Sequence, residues 1–78
     1  MLGGELQRTR QAAGLTQEEL ADRADIDRTY VSKLERDLQS PTVDVLVQLC
    51  RAMRVRASEL LALVEDDLKP KPRRKRSV

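Results

Sequence analysis

The chain has 78 residues, of which 40% are apolar, with one cysteine, no histidine and a single aromatic residue, Tyr30. This length suits one domain with a small aliphatic core, which is marginally stable unless packing is tight or a second subunit buries more surface. The net charge is only +2, and the composition argues against an internal disulfide, a zinc site and a membrane span, so we expect a cytoplasmic protein without metal or cofactor.

The first predicted element is a helix from Glu5 to Ala13, preceded by a loose start at residues 1–4 that contains two glycines. Leu6 and Arg10 fall on one side of this helix at helical spacing, and Gly14 follows it as a C-cap. Arg10 is the unusual member of that side. From its position on the helix, the aliphatic stem of Arg10 can lie over the core while the guanidinium stays in water.

Two helix-start signals follow, separated by a short turn. Thr16 can cap a helix with its hydroxyl, and Glu19 can reach back to the backbone N–H of Thr16, which predicts a helix beginning near Gln17. Asp25 breaks the apolar period and tolerates a left-handed backbone, and Asp27 restarts the period as an N-cap. Two short helices joined in this way are typical of a helix-turn-helix.

The third helix is predicted from Arg28 to Arg36, with Val31 and Leu34 on its buried side. Its outward side chains are basic or carry hydroxyls, namely Arg28, Thr29, Ser32, Lys33 and Arg36. An arginine in the first turn is unfavourable for the helix dipole alone, and an anionic partner at that end would explain it. A helix that offers such side chains from its first turns has the geometry that enters a DNA major groove.

Two more helices are predicted after a loop at residues 37–41. Thr42 is the N-cap of the fourth helix, and its buried stripe consists of Val43, Leu46, Leu49, Cys50 and Met53. Cys50 is expected to be an inert core residue. The fifth helix is predicted over residues 57–66, with one apolar face formed by Leu60, Leu61, Val64 and Leu68.

The last ten residues differ in charge from the rest of the chain. Residues 1–68 carry nine basic and thirteen acidic side chains, a net charge of −4, whereas residues 69–78 carry six basic and no acidic ones. Two prolines and mutual repulsion disfavour a helix there. We therefore predict a domain over residues 1–68 and a disordered basic tail over residues 69–78, which either stays solvated or adds phosphate contacts that do not depend on sequence.

The stretch from Leu15 to Arg36, with its run D-R-T-Y-V-S-K-L-E-R, resembles the helix-turn-helix of the Cro and C1-type repressors, also called the XRE family, and within it the restriction-modification controller proteins. The likeness extends from about Leu6 to Leu61. It implies an all-α, five-helix domain with the helix-turn-helix at helices 2 and 3. Asp25, Asp37 and Arg54 stand where the family often has glycine, and a positive φ there costs on the order of 1 kcal/mol.

The resemblance also assigns roles to the DNA-facing side chains. Gln17 matches a position that usually holds a phosphate, and Thr16 is mainly a cap. Arg28, Thr29 and Lys33 match positions that read base edges. Arginine and lysine suit the O6 and N7 acceptors of guanine, and threonine can contact a thymine methyl group.

Side chains at the edge of the groove have alternative interpretations. Tyr30 and Ser32 should bond phosphate through their hydroxyls, and Arg36 should reach the backbone or a flanking base. Alternatively, the Tyr30 ring packs on a neighbouring helix, and Lys33 and Arg36 are surface charges paired with acidic neighbours in the chain.

Two further features follow from the resemblance. A partly buried ion pair would join Arg10 to Glu35 and fix the third helix against the first. Val45, Val47 and Leu63 lie outside the main apolar stripes, and are either scattered surface residues or part of a symmetric dimer patch on helices 4 and 5.

Together these features predict a sequence-specific, double-stranded DNA-binding transcriptional regulator that binds a pseudo-palindromic operator as a homodimer, with the third helix in the major groove. It could contact RNA polymerase, and we expect no small-molecule effector. We do not expect an enzyme, because no histidine, phosphate loop or nucleophile with a nearby base is present. The alternatives are an antitoxin-type autorepressor that also binds a toxin, and a protein-interaction module that uses the apolar faces of helices 4 and 5.

Overall fold

The computed structural model describes residues 2–68, which form five helices and no strand. The helices are α1 (Leu2–Ala12), α2 (Gln17–Ala24), α3 (Arg28–Glu35), α4 (Val43–Met53) and α5 (Ala57–Leu68). α2 packs against α3 and α4, α1 packs against α3 and α5, and α4 packs against α5. The predicted all-α, five-helix fold class is thereby confirmed, while the predicted tail at residues 69–78 lies outside the described residues.

The core is aliphatic and draws on every helix. Leu6, Leu20, Val31, Leu49 and Leu60, one from each helix, are at most 1% exposed. Full burial of such a side chain contributes roughly 1.5–3 kcal/mol. None of the five helices in the described part of the chain is long and apolar enough to cross a membrane.

The polar caps predicted for α2, α3 and α4 are confirmed. The Thr16 hydroxyl accepts the backbone N–H of Glu19 at 3.0 Å, and the Glu19 carboxylate accepts the N–H of Thr16 at 2.9 Å, which completes a capping box. Asp27 and Thr42 cap α3 and α4 with single side-chain acceptors. Caps of this kind each stabilise a helix by about 0.5–2 kcal/mol. The starts of α2, α3 and α4 are therefore fixed by side chains next to them in the sequence.

Three non-glycine residues adopt the left-handed conformation, at the positions where the resemblance led us to look for strain. Asp25 has a φ of 61°, Asp37 of 58° and Arg54 of 61°, beside Gly14 at 76°. Asp25 and Arg54 donate their backbone N–H groups to the last carbonyls of α2 and α4. Asp25 and Arg54 therefore end α2 and α4 in the left-handed conformation that glycine adopts most easily.

The prediction for the N-terminus was wrong, because α1 begins at Leu2 and not at Glu5. Gly3 is buried, and its backbone N–H donates to Oδ1 of Asp37 at 3.0 Å. A Cβ atom at Gly3 would lie 2.5 Å from the carbonyl oxygen of Glu35. Only glycine allows α1 to approach the end of α3 this closely. The first residues of α1 are therefore held against α3 and are not a loose segment.

Two residues assigned to buried stripes are exposed, which corrects the sequence interpretation. Val43 is 75% exposed because it is the first residue of α4 and lies at the outer end of that helix. Leu61 is 43% exposed, since it follows the buried Leu60 and one residue rotates the helix by about 100°. α5 also continues to Leu68, two residues beyond its predicted end.

Candidate nucleic-acid interface

A three-residue turn sets the angle between α2 and α3. Asp25 donates its backbone N–H to the carbonyl oxygens of Ala21 and Asp22. The N–H of Ile26 bonds to the carbonyl of Ala21 at 3.0 Å, and Asp27 then caps α3. The chain therefore changes direction within residues 25–27 and presents the first turn of α3 at the surface.

The outer face of α3 carries side chains predicted to contact DNA. Val31 and Leu34 are at most 2% exposed and hold the helix on the core. The opposite side carries the exposed Arg28, Thr29, Lys33 and Arg36 and the half-buried Ser32. Arg28 and Ser32 are four residues apart, as are Thr29 and Lys33, so each pair is adjacent on the helix surface. We call these five side chains the outer face of α3.

The basic residues of this face have no acidic partner among the described side chains. Arg28, Lys33 and Arg36 form no ion pair with the acidic side chains that the structure describes in residues 2–66, whereas Arg8 pairs with Glu5 and Arg10 with Glu35. The alternative in which Lys33 and Arg36 are paired with nearby acids is therefore not the arrangement in the described residues. Their positive charges are available to an anionic partner.

Two other hydroxyl residues have structural roles. Tyr30 is half-buried and packs against the hydrophobic core, as the alternative interpretation had it. Thr16 is exposed, but its hydroxyl oxygen already accepts the cap hydrogen bond of α2. The hydroxyl groups of both residues can still donate their protons to an anionic partner.

Behind the outer face of α3, a buried ion pair joins α1 to α3. Arg10 Nε lies 2.7 Å from Glu35 Oε2, and Arg10 Nη2 lies 3.1 Å from Glu35 Oε1. Arg10 Nη1 also donates to the carbonyl oxygen of Leu15 at 2.8 Å. Arg10 and Glu35 are 8% and 7% exposed. This bidentate arrangement fixes the end of α3 against α1 and against the loop that precedes α2.

Gln17 adds a contact that the sequence did not indicate. Its Nε2 donates to Oε1 of Glu35 at 2.9 Å, so the first residue of α2 is joined to the last residue of α3. The two residues are separated by 18 positions, and no periodicity or spacing rule connects them. Gln17 also lines an open cleft between the end of α1 and the start of α2, together with Gln11 and Arg28.

The three residues predicted for a dimer patch differ in exposure. Val45 and Val47 are half-buried, and Val45 packs against the core. Leu63 is 46% exposed and borders a small cleft that Thr9 and Val55 also line. Of the three residues predicted for the patch, only Leu63 is exposed, and the two valines offer the outer parts of their side chains.

Comparison with known proteins gives a family match over most of the chain. Residues 6–60 match the family model described as Helix-turn-helix, HTH_3, and this range includes parts of all five helices. The HTH-type transcriptional regulator y4dJ of Sinorhizobium fredii is 36% identical over 66 residues, which cover 85% of this chain and 86% of y4dJ. Other curated relatives are longer, and the chain spans 41% to 47% of their length.

Solved structures with a similar fold include regulators from Aeromonas hydrophila and Bacillus subtilis. The restriction-modification controller protein C.AhdI of Aeromonas hydrophila is 34% identical, with a TM-score of 0.74, covering 76% of this chain and 89% of C.AhdI. SinR of Bacillus subtilis, a master regulator for biofilm formation whose structure was solved in complex with DNA, is 31% identical with a TM-score of 0.74. That match covers 78% of this chain and 98% of the SinR chain.

Proposed function

The chain belongs to the helix-turn-helix family of Cro/C1-type (XRE) DNA-binding transcriptional regulators, and we propose that it binds one specific double-stranded operator as a homodimer. Proteins of this family are regulators and not enzymes. The outer face of α3 carries the proposal, because three cationic side chains, without an ion-pair partner among the described side chains of residues 2–66, stand beside two hydroxyl residues.

The first turns of α3 would enter the major groove. Arg28 and Lys33 would donate to the O6 and N7 atoms of guanine, and the methyl group of Thr29 would contact a thymine methyl. Each good contact of this kind discriminates between bases by roughly 1–3 kcal/mol. The exposure of all three residues supports this assignment, and so does the buried ion pair, which holds the far end of α3 in place.

Phosphate contacts would flank the base contacts and position the protein without selecting a sequence. Gln17 stands at the N-terminus of α2, where backbone N–H groups and the helix dipole favour an anion. The hydroxyl protons of Thr16, Tyr30 and Ser32 would donate to phosphate oxygens at the groove edge. Arg36, exposed at the C-terminal end of α3, would reach the backbone or a flanking base.

The operator would be a pseudo-palindrome read by two copies of the chain. A two-fold contact through α4 and α5, using Val45, Val47 and Leu63, would place two recognition helices in successive major grooves about 34 Å apart. A small domain gains stability when a second subunit covers apolar surface. The exposure of Leu63 is the structural support for this face.

Operator occupancy would control transcription. Binding within a promoter would block or recruit RNA polymerase, and action on a bacterial operator would place the protein in the cytoplasm. The similarity to C.AhdI and to the DNA-bound SinR supports a regulator of this kind over a protein-interaction module.

The test is selection of bound sequences from a random duplex pool at physiological salt, run in parallel on the wild type and on an Arg28→Ala, Lys33→Ala double variant. The proposal predicts an enriched inverted repeat that the double variant loses. A pool without enrichment, bound only at low salt, would reject sequence-specific recognition and would leave the interaction module as the better explanation.

A further inference from the structure

We propose that Gln17 is a positioning residue, which couples the DNA backbone to the recognition helix through Glu35 instead of acting as an independent phosphate contact. The inference rests on the proposed function, since it concerns how α3 is held against an operator. It starts from the 2.9 Å hydrogen bond between Gln17 Nε2 and Glu35 Oε1.

The chemistry of the two side chains sets the orientation of the Gln17 amide. A carboxylate that receives two hydrogen bonds from Arg10 acts as an acceptor, so Glu35 must receive the N–H of Gln17 and not its carbonyl oxygen. A phosphate oxygen is also an acceptor. The second N–H of the same Gln17 nitrogen is thus the only part of that side chain able to donate to a phosphate. One nitrogen would then join the DNA backbone to the protein interior.

The inner end of this link is rigid. The Glu35 side chain is 2% exposed and accepts three hydrogen bonds, two from Arg10 and one from Gln17. Arg10 is itself fixed by its bond to the carbonyl oxygen of Leu15, next to the cap of α2. Glu35 is the last residue of α3 and lies seven residues, or about 10 Å of helix, beyond Arg28.

This arrangement ties the phosphate position to the base-reading position. A phosphate held by Gln17 would fix the C-terminal end of α3 and, through the rigid helix, the depth of its first turn in the groove. Hydrogen bonds weaken steeply when donor and acceptor are displaced or misaligned, so a small shift of α3 would penalise specific base contacts more than general backbone contacts. Loss of Gln17 should therefore reduce specificity and not only affinity.

The test replaces Gln17 with methionine, which keeps the length of the side chain and removes both donors. Gln11→Met is the matched control, because Gln11 is exposed and lines the same cleft. Affinities for the selected operator and for an unrelated duplex are measured at one salt concentration, after circular dichroism has shown that both variants are folded. For Gln17→Met the ratio of operator to unrelated-duplex affinity should fall about tenfold, whereas Gln11→Met should leave it within about twofold of wild type.

Three results would decide against the inference or separate it from the proposed function. An equal loss of affinity for both duplexes would make Gln17 an ordinary phosphate contact, and an unchanged ratio would remove its positioning role. If the wild type has no sequence preference, the proposed function fails, and the hydrogen bond between Gln17 and Glu35 is tested in the protein without DNA. In NMR spectra of that protein, one of the two Gln17 side-chain amide protons should exchange with solvent more slowly than those of Gln11. Equal exchange rates would overturn the inference.

Discussion

Replacing Gly3 with alanine tests how closely α1 approaches the end of α3. The added Cβ would lie 2.5 Å from the carbonyl oxygen of Glu35 and 2.7 Å from that of Leu34. Both contacts are with backbone atoms that the core holds in place, so α1 would have to move by about 1 Å to restore a van der Waals distance. Overpacking of this kind costs about 1–3 kcal/mol, against a gain of about 1 kcal/mol for alanine in a helix. We expect a net loss of up to about 2 kcal/mol in the free energy of unfolding.

Gly4→Ala is the matched control for this substitution. The nearest atom to its added Cβ is Nη2 of Arg8, at 3.7 Å, so only the gain in helix propensity remains, up to about 1 kcal/mol. Urea unfolding followed by circular dichroism measures both variants, at a single protein concentration because subunit association would shift the midpoint. If Gly3→Ala unfolds at the same urea concentration as Gly4→Ala or at a higher one, α1 does not approach the end of α3 this closely.

Three further changes test other parts of the account. Arg10→Met leaves the buried Glu35 carboxylate without its cation and should lower the free energy of unfolding by about 3–5 kcal/mol. Arg8→Met is the control, because the Arg8 side chain is 65% exposed, and it should lower this free energy by less than about 1 kcal/mol. Equal losses in urea titrations would contradict this expectation. Arg54→Gly relieves a φ of 61° and should raise the thermal midpoint more than Asp25→Gly, because aspartate tolerates this region better; a fall in the midpoint would be the opposite result. Burial raises the pKa of the Cys50 thiol from its ordinary value of 9.0, so an alkylating reagent should label the unfolded chain and spare the folded one, and equal rates would refute the burial. Because the pKa of Cys50 is higher in the folded chain, its contribution to the free energy of unfolding should be fully present below pH 9.0 and be lost as the pH rises through the folded-state pKa. Urea titrations across this pH range, compared with a Cys50→Ala variant, measure that loss.

Local chemistry made much of the helix-turn-helix predictable. The caps at Thr16, Asp27 and Thr42 depend on atoms within three residues, and such short-range hydrogen bonds can be read directly from a sequence. The left-handed conformation of Asp25 was foreseen from its short polar side chain in the turn, whereas that of Arg54 was indicated only by the family resemblance, in which glycine is common at this position. The boundaries of α2, and the start of α3, follow from these local features.

Contacts between distant segments were predicted only where the family resemblance supplied them. Arg10 and Glu35 lie 25 positions apart, and the resemblance alone indicated that they would meet. Nothing comparable pointed to the bond between Gln17 and Glu35, or to the close approach of Gly3 to the end of α3. Both depend on how α1, α2 and α3 pack in three dimensions, which periodicity does not encode.

The apolar pattern predicted the buried residues better than the exposed ones. Leu46, Leu49 and Cys50 are buried as their helical spacing indicated, but Val43 has the same period and is exposed because the helix begins there. Periodicity gives the direction in which a side chain points and not whether another helix reaches that far. For the same reason, the assignment of Val45, Val47 and Leu63 to a dimer patch stays a prediction.

The measurement that most directly tests base reading by α3 pairs one protein change with one base change. In the selected operator, a guanine in each half-site is replaced by 7-deazaguanine, which lacks the N7 acceptor, and affinities of wild type and Arg28→Ala are measured for both duplexes. If Arg28 reads that guanine, each change alone should weaken binding about tenfold, and the two together should cost no more than either one. Fully additive losses at every guanine of the operator would contradict the account, because Arg28 would then contribute affinity without reading a base.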